Sequence, residues 1–127
     1  MDEREQIVAN FWEAFDRADF GTAGEMLAEN AEILWPNTGE LFKGRVRFIE
    51  VQKHYPGRWR ISLEKVVPAQ DTIVTVVRVT AEDRSMSFYA TSFFEFEGGR
   101  IRKITEYWGD VGQPPEWRVR GGWAERF

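Results

Sequence analysis

The sequence predicts an α+β domain in which three N-terminal helices pack on a strongly curved antiparallel sheet, in the order α-α-β-α-β-β-β-β. Two observations carry this. Apolar residues recur at helical spacing through the first half, and at Arg58 the period switches from 3.6 to 2. The strands that follow are joined by short turn sequences, as expected of an antiparallel meander rather than of crossover units. A long curved sheet facing helices makes a cone-shaped barrel with a cavity inside.

The elements follow in order. Residues 2–18 read as a helix, with Ile7, Val8, Phe11, Trp12, Phe15 and Ala18 on one stripe. Asp2 and Glu5 form a capping pair at its start, and Asp19-Phe20-Gly21 ends it. Thr22 and Glu25 then resemble a capping box that opens a short helix through Ala28. Ala31 to Trp35 reads as a short strand stopped by Pro36, with a turn at Asn37-Thr38-Gly39. Residues 45–54 carry Val46, Phe48 and Ile49 on a third helix that stops before Pro56-Gly57. From Arg58, the residues Trp59, Ile61, Leu63 and Lys65 alternate with Arg58, Arg60, Ser62 and Glu64. Pro68 to Asp71 turns into a β-branched strand over residues 72–82. Ser85 to Glu97 is a second long strand, Gly98-Gly99 a hairpin turn, and Arg100 to Gly109 the last strand.

Size and composition exclude several functions. With 127 residues the chain is one domain, large enough for a core without staples. It has no cysteine, which removes disulfides, thiolate metal sites and cysteine nucleophiles. Its one histidine, His54, is a poor basis for a zinc site or a catalytic triad. The formal charge of −4 and a pI near 5.1 point away from nucleic acid and anionic membranes. No apolar run is long enough to span a bilayer, and the charged start lacks a signal-peptide core, so a cytoplasmic protein is expected. No glycine-rich phosphate loop or ligand cluster calls for a nucleotide, a cofactor or a metal.

The aromatic load is high: six Trp, three Tyr and ten Phe. Aromatics at this density fill a core, line a pocket or cover an interface. Phe11, Trp12, Phe15, Phe88, Phe94 and Phe96 follow the helix and strand periods. Trp35, Trp59, Tyr89 and Trp108 are what the curved sheet offers a ligand, and Tyr55 flanks the same turn as Trp59. Glu106, Trp108 and Asp110 share a strand parity. On the concave face, Glu106 becomes a buried acid with a raised pKa; otherwise it is a structural partner of an Arg such as Arg78. His54 sits at a helix end, where the dipole favours it and where it also borders the pocket rim.

The order of elements resembles the nuclear transport factor 2-like superfamily, and within it the SnoaL-like domains of polyketide cyclase and ketosteroid isomerase type. The stretches that carry the resemblance are Met26-Leu27-Ala28-Glu29-Asn30-Ala31, Gly39-Glu40-Leu41-Phe42-Lys43-Gly44, the hairpin from Phe93 to Ile101, and Ile104-Thr105-Glu106-Tyr107-Trp108. It covers residues 5 to 110. The resemblance implies a small-molecule enzyme, an isomerase, cyclase or hydrolase, or a non-catalytic module with the same pocket. It also implies a homodimer formed through the sheet face. The ketosteroid isomerases place an Asp base and a Tyr donor where this chain has Trp35 and Phe11, so that catalytic set is not intact. The epoxide hydrolases use two carboxylates and an Arg; Glu106 and Arg78 match two positions, but Thr80 stands at the third. The SnoaL-like cyclases rely on one acidic base in an aromatic pocket, a role open to Glu106 or Asp110, with Arg78 or Tyr89 polarising an oxygen. The resemblance ends near residue 110. Residues 111–127 carry Trp117 and Trp123 among Arg118, Arg120 and Arg126, a composition that suggests a tail docked on the domain or on a partner subunit.

Overall fold

The computed structural model describes residues 2–127. Helix α1 (Glu3–Asp16) is followed by α2 (Phe20–Glu25), β1 (Leu27–Trp35), β2 (Glu40–Lys43), α3 (Arg45–His54), β3 (Trp59–Pro68), β4 (Thr72–Ala81), β5 (Ser87–Glu97), β6 (Arg100–Asp110) and α4 (Glu116–Gly121). The six strands form one sheet in the order β2-β1-β6-β5-β4-β3. The sheet is open, because its edge strands β2 and β3 are not paired to each other. The α+β cone expected from the sequence is therefore a curved sheet and not a closed barrel.

Local chemistry explains most boundaries. Asp2 caps α1 by accepting from the Glu5 backbone N–H, and the Glu5 carboxylate accepts from the Asp2 N–H, which completes a capping box. Helix α2 starts one turn earlier than the Thr22 reading implied. Its cap is Asp19, which accepts from both the backbone N–H and the hydroxyl of Thr22. Strand β1 begins at Leu27, four residues ahead of the expected start. The short β2 was not foreseen: the turn at Thr38 and Gly39 returns the chain so that Leu34 pairs with Leu41 and Trp35 with Glu40. Gly98 and Gly99 both have positive φ, as a two-residue hairpin turn requires.

All pairings are antiparallel except that of β1 with β6, which is parallel. The register of β3 slips between Leu63 and Lys65. That bulge hands the inward position from Lys65 to Val66, so the strict alternation read from the sequence holds only as far as Leu63. The core lies between α1, α3 and the concave face. Phe11, Phe94, Leu27, Ile33, Ile73, Ile101 and Ile104 are fully buried there. The tail beyond β6 contains the six-residue helix α4, and Trp117 and Trp123 stand well exposed on it. Among the described helices, none is long and apolar enough to cross a membrane.

One polar latch fixes how α1 lies on the sheet. Asp16, the last residue of α1, accepts from Arg60 Nε and Nη2, each at 2.9 Å, and from the Ile61 backbone N–H at 2.8 Å. The Arg60 hydrogen bonds first, and the Ile61 N–H after them, hold its carboxyl below the usual value despite some burial. Arg58 adds hydrogen bonds to the backbone carbonyls of Asp16 and Trp59. Asp16→Ala leaves the Ile61 N–H without its acceptor. Thermal unfolding is expected to show a loss of roughly 1 kcal/mol, little of it from the exposed Arg60 pair.

Candidate active site

Strand parity and register build the site before any ligand is considered. Leu34 of β1 lies beside Thr105 of β6 in the parallel pair. The next residue on each strand therefore turns to the concave face, which brings Trp35 beside Glu106. On the other side of β6, Ser92 of β5 is the direct register partner of Glu106. Trp35 Nε1 donates to Glu106 Oε1 at 2.8 Å, and the Ser92 hydroxyl donates to Oε2 at 2.8 Å. One strand further, Thr75 is the partner of Ser92 and accepts from Trp12 Nε1 at 3.0 Å. A polar row, Trp35, Glu106, Ser92 and Thr75, thus crosses an otherwise apolar face.

Glu106 is only 7% exposed, and both of its oxygens are used as acceptors. Burial pushes its carboxyl above the ordinary value near 4.5, against the opposing pull of the Trp35 and Ser92 donors. Among the described residues no basic group lies within ion-pair distance of it. A carboxyl so placed is a candidate for proton transfer.

A cavity of about 520 Å³ opens in front of it. Its walls are largely aromatic: Trp12, Phe15 and Phe48 are buried, Trp35, Trp59, Phe88 and Trp108 half-buried, and Tyr55 exposed. Trp35 and Trp108 meet edge to face, with ring centroids 5.3 Å apart. Lys53 and Asp110 line it from exposed positions, and Arg58 is half-buried. Volume and lining are those of a small-molecule site.

The residues singled out in the sequence divide into two groups. Glu106, Asp110, Trp35, Tyr55, Trp59 and Trp108 all line this cavity. Arg78 and Tyr89 do not. Thr75, Val77 and Val79 of β4 are buried inward, so Arg78 between them points to the outer face. There it donates to Ser87 Oγ at 2.9 Å and lies over the Tyr89 ring, 5.6 Å from its centroid. The expected pairing of Arg78 with Glu106 is not formed, and neither Arg78 nor Tyr89 can polarise an oxygen inside the cavity. His54 is also outside. It is exposed, with Nδ1 2.9 Å from the Glu50 carbonyl, beside a shallow groove formed with Leu41 and Phe42.

The sequence reading missed Ser92, the hydroxyl that completes the Glu106 contacts. A signal existed, since Ser92 and Thr75 fall at inward positions of apolar strands, but only the register shows whom they face. The reading also gave Trp35 only a packing or lining role. In the structure it is in addition a hydrogen-bond donor to the buried acid. Arg58 and Lys53, which also line the cavity, carried no sequence signal of their own.

Comparison with known proteins agrees with this fold. The SnoaL-like domain family matches residues 8–104. No curated protein matches the sequence. Among solved structures, a candidate ketosteroid isomerase from Kribbella flavida is 19% identical, with a TM-score of 0.85 over 98% of this chain and 90% of that one. An NTF2-like protein of unknown function from Burkholderia xenovorans is 21% identical, with a TM-score of 0.83 over 98% and 95% of the two chains. An LEH-like epoxide hydrolase from Mycobacterium tuberculosis is 17% identical, with a TM-score of 0.72 over 84% and 83%. At these identities the likeness is one of fold.

Proposed function

This chain belongs to the SnoaL-like domain family, and from that premise we propose that its cavity is a small-molecule site in which Glu106 moves a proton to or from an apolar or aromatic ligand. The observation that carries the reading is a buried carboxyl in an aromatic cavity, hydrogen-bonded but without a cationic partner among the described residues. Isomerisation, cyclisation and hydration can all be accelerated by such a group. In its ionised form Glu106 is the base; once protonated it returns the proton as an acid. Asp110, exposed at the opening, is placed to meet a polar end of the ligand rather than its reacting centre.

A second reading is a non-catalytic binding module. It is favoured by the donors near Glu106, since the N–H groups of Trp12 and Trp35 and the Ser92 hydroxyl are already bonded within the protein. A developing oxyanion would find none of these three free. The two readings separate in one experiment. A library of apolar and aromatic compounds is screened by quenching of tryptophan fluorescence, and the binders are then incubated with protein in D2O. Solvent deuterium is expected to enter a bound compound with the wild-type protein. Binding without exchange across the whole set would leave the module reading.

The same proposal extends to assembly. The outer face of the sheet exposes Tyr89, Phe93 and Tyr107, the last two in edge-to-face contact with centroids 6.1 Å apart. We assign this face to a second copy of the chain. The tail, with Trp117 60% and Trp123 78% exposed, is assigned to the same partner.

A further inference from the structure

We propose that the base of the cavity receives an organic ammonium group, a protonated tertiary amine or quaternary ammonium carried on an apolar body. This rests on the reading of the cavity as a ligand site and adds the class of ligand it takes.

The argument begins with what the cavity lacks. Burial disfavours the charged form of Glu106, and the indole N–H and hydroxyl that donate to its two oxygens only partly oppose this. A carboxylate withdrawn from water is costly without a counter-charge. Among the described residues no Lys, Arg or His pairs with it. Of the basic side chains that line the cavity, Lys53 is exposed and Arg58 is half-buried. Arg58 is tied to the carbonyls of Asp16 and Trp59, and Asp110 is exposed. A positive charge that would hold Glu106 ionised is therefore one that a ligand can bring.

The walls favour the same kind of group. Four tryptophans line the cavity, and three have their N–H committed inside the protein: Trp12 to Thr75, Trp35 to Glu106, and Trp59 to the Pro56 carbonyl. What those three indoles retain for an occupant is π surface and not a donor. Aromatic faces around a single carboxylate attract a soft cation, whose methyl or methylene groups pack on the rings while its charge faces the acid. Against ionised Glu106, a ligand entering with a carbonyl or alkoxide end would set an acceptor against an acceptor. A trialkylammonium head occupies only part of 520 Å³, so the rest of the ligand is apolar and fills the remaining aromatic space.

The test uses a pair of isosteres, choline and 3,3-dimethyl-1-butanol, which differ in charge at one atom. Each is titrated into the full chain by calorimetry and tryptophan fluorescence. Choline is expected to bind at least about tenfold more tightly, the weight of a desolvated cation–π site. Glu106→Gln, of the same shape, is expected to erase that preference while melting as a folded protein. Trp108→Leu is expected to weaken choline severalfold more than the alcohol. Equal binding of the two probes would overturn the ammonium assignment and leave the ligand cavity standing. A preference that persists in Glu106→Gln would also overturn it, since the charge would then be read elsewhere. Absence of binding by both probes would overturn it too, and the deuterium-exchange screen would then judge the broader reading by itself.

Discussion

Glu106→Gln is expected to lower proton transfer to a bound substrate by about 10²- to 10⁴-fold while leaving the domain folded. The amide has the shape of the carboxyl and can still accept from Trp35 or Ser92, so the aromatic walls keep their places. What is lost is the group that takes up and returns the proton. Solvent-deuterium incorporation measures this directly. An unchanged rate would remove Glu106 from the chemistry. The same variant has a signature in stability. A carboxyl whose folded pKa lies above its unfolded one binds its proton more tightly in the native state. Its contribution is complete below the unfolded value and is lost as pH climbs through the folded one. Stability of the wild-type chain should therefore acquire a downward component as pH rises from near 4.5, and the Gln variant should lack it. Asp16, whose carboxyl is held below its ordinary value by Arg60 and Ile61, acts in the opposite sense, and its contribution fades as pH falls below 3.8. Urea denaturation at several pH values, compared between the two proteins, isolates the Glu106 part.

Phe94→Ala is expected to cost about 3–5 kcal/mol. Phe94 is fully buried and meets Phe11 and Trp12 edge to face, with centroids at 5.7 and 6.0 Å. Its register partners are Ile73 and Ile104, both without exposure. Truncation opens a cavity between helix and sheet that neighbours on two rigid layers cannot close. Against a total stability of about 5–15 kcal/mol for a natural domain, this is a large share, and the urea midpoint should fall accordingly. Val46→Ala, at a site 72% exposed, should leave the midpoint almost unmoved. A similar small shift for Phe94→Ala would mean that this ring does not hold α1 to the sheet.

The local signals in the chain were sufficient for the layers. The stripe from Val8 to Phe15, the change of period at Arg58 and the glycine pair at 98 and 99 each act within a few residues, and each is recovered in α1, the meander and its hairpin. Parity alone placed Glu106, Trp108 and Asp110 on one face. Which face that was, and who stood beside it, depended on partners far away in sequence. Trp35 and Glu106 meet because β1 adds parallel to β6. Ser92 reaches Glu106 through the β5–β6 register, and Arg78 is turned outward by its own parity against a buried β4. A one-residue bulge at the end of Leu63 was enough to move Lys65 off the apolar row. The sequence by itself determined an α+β cone rich in aromatics with one acid on a critical strand. Only the tertiary structure decided that this acid is buried among tryptophans with no cationic partner among the described residues, because register is set by pairing across the whole sheet while periodicity is written in each segment alone.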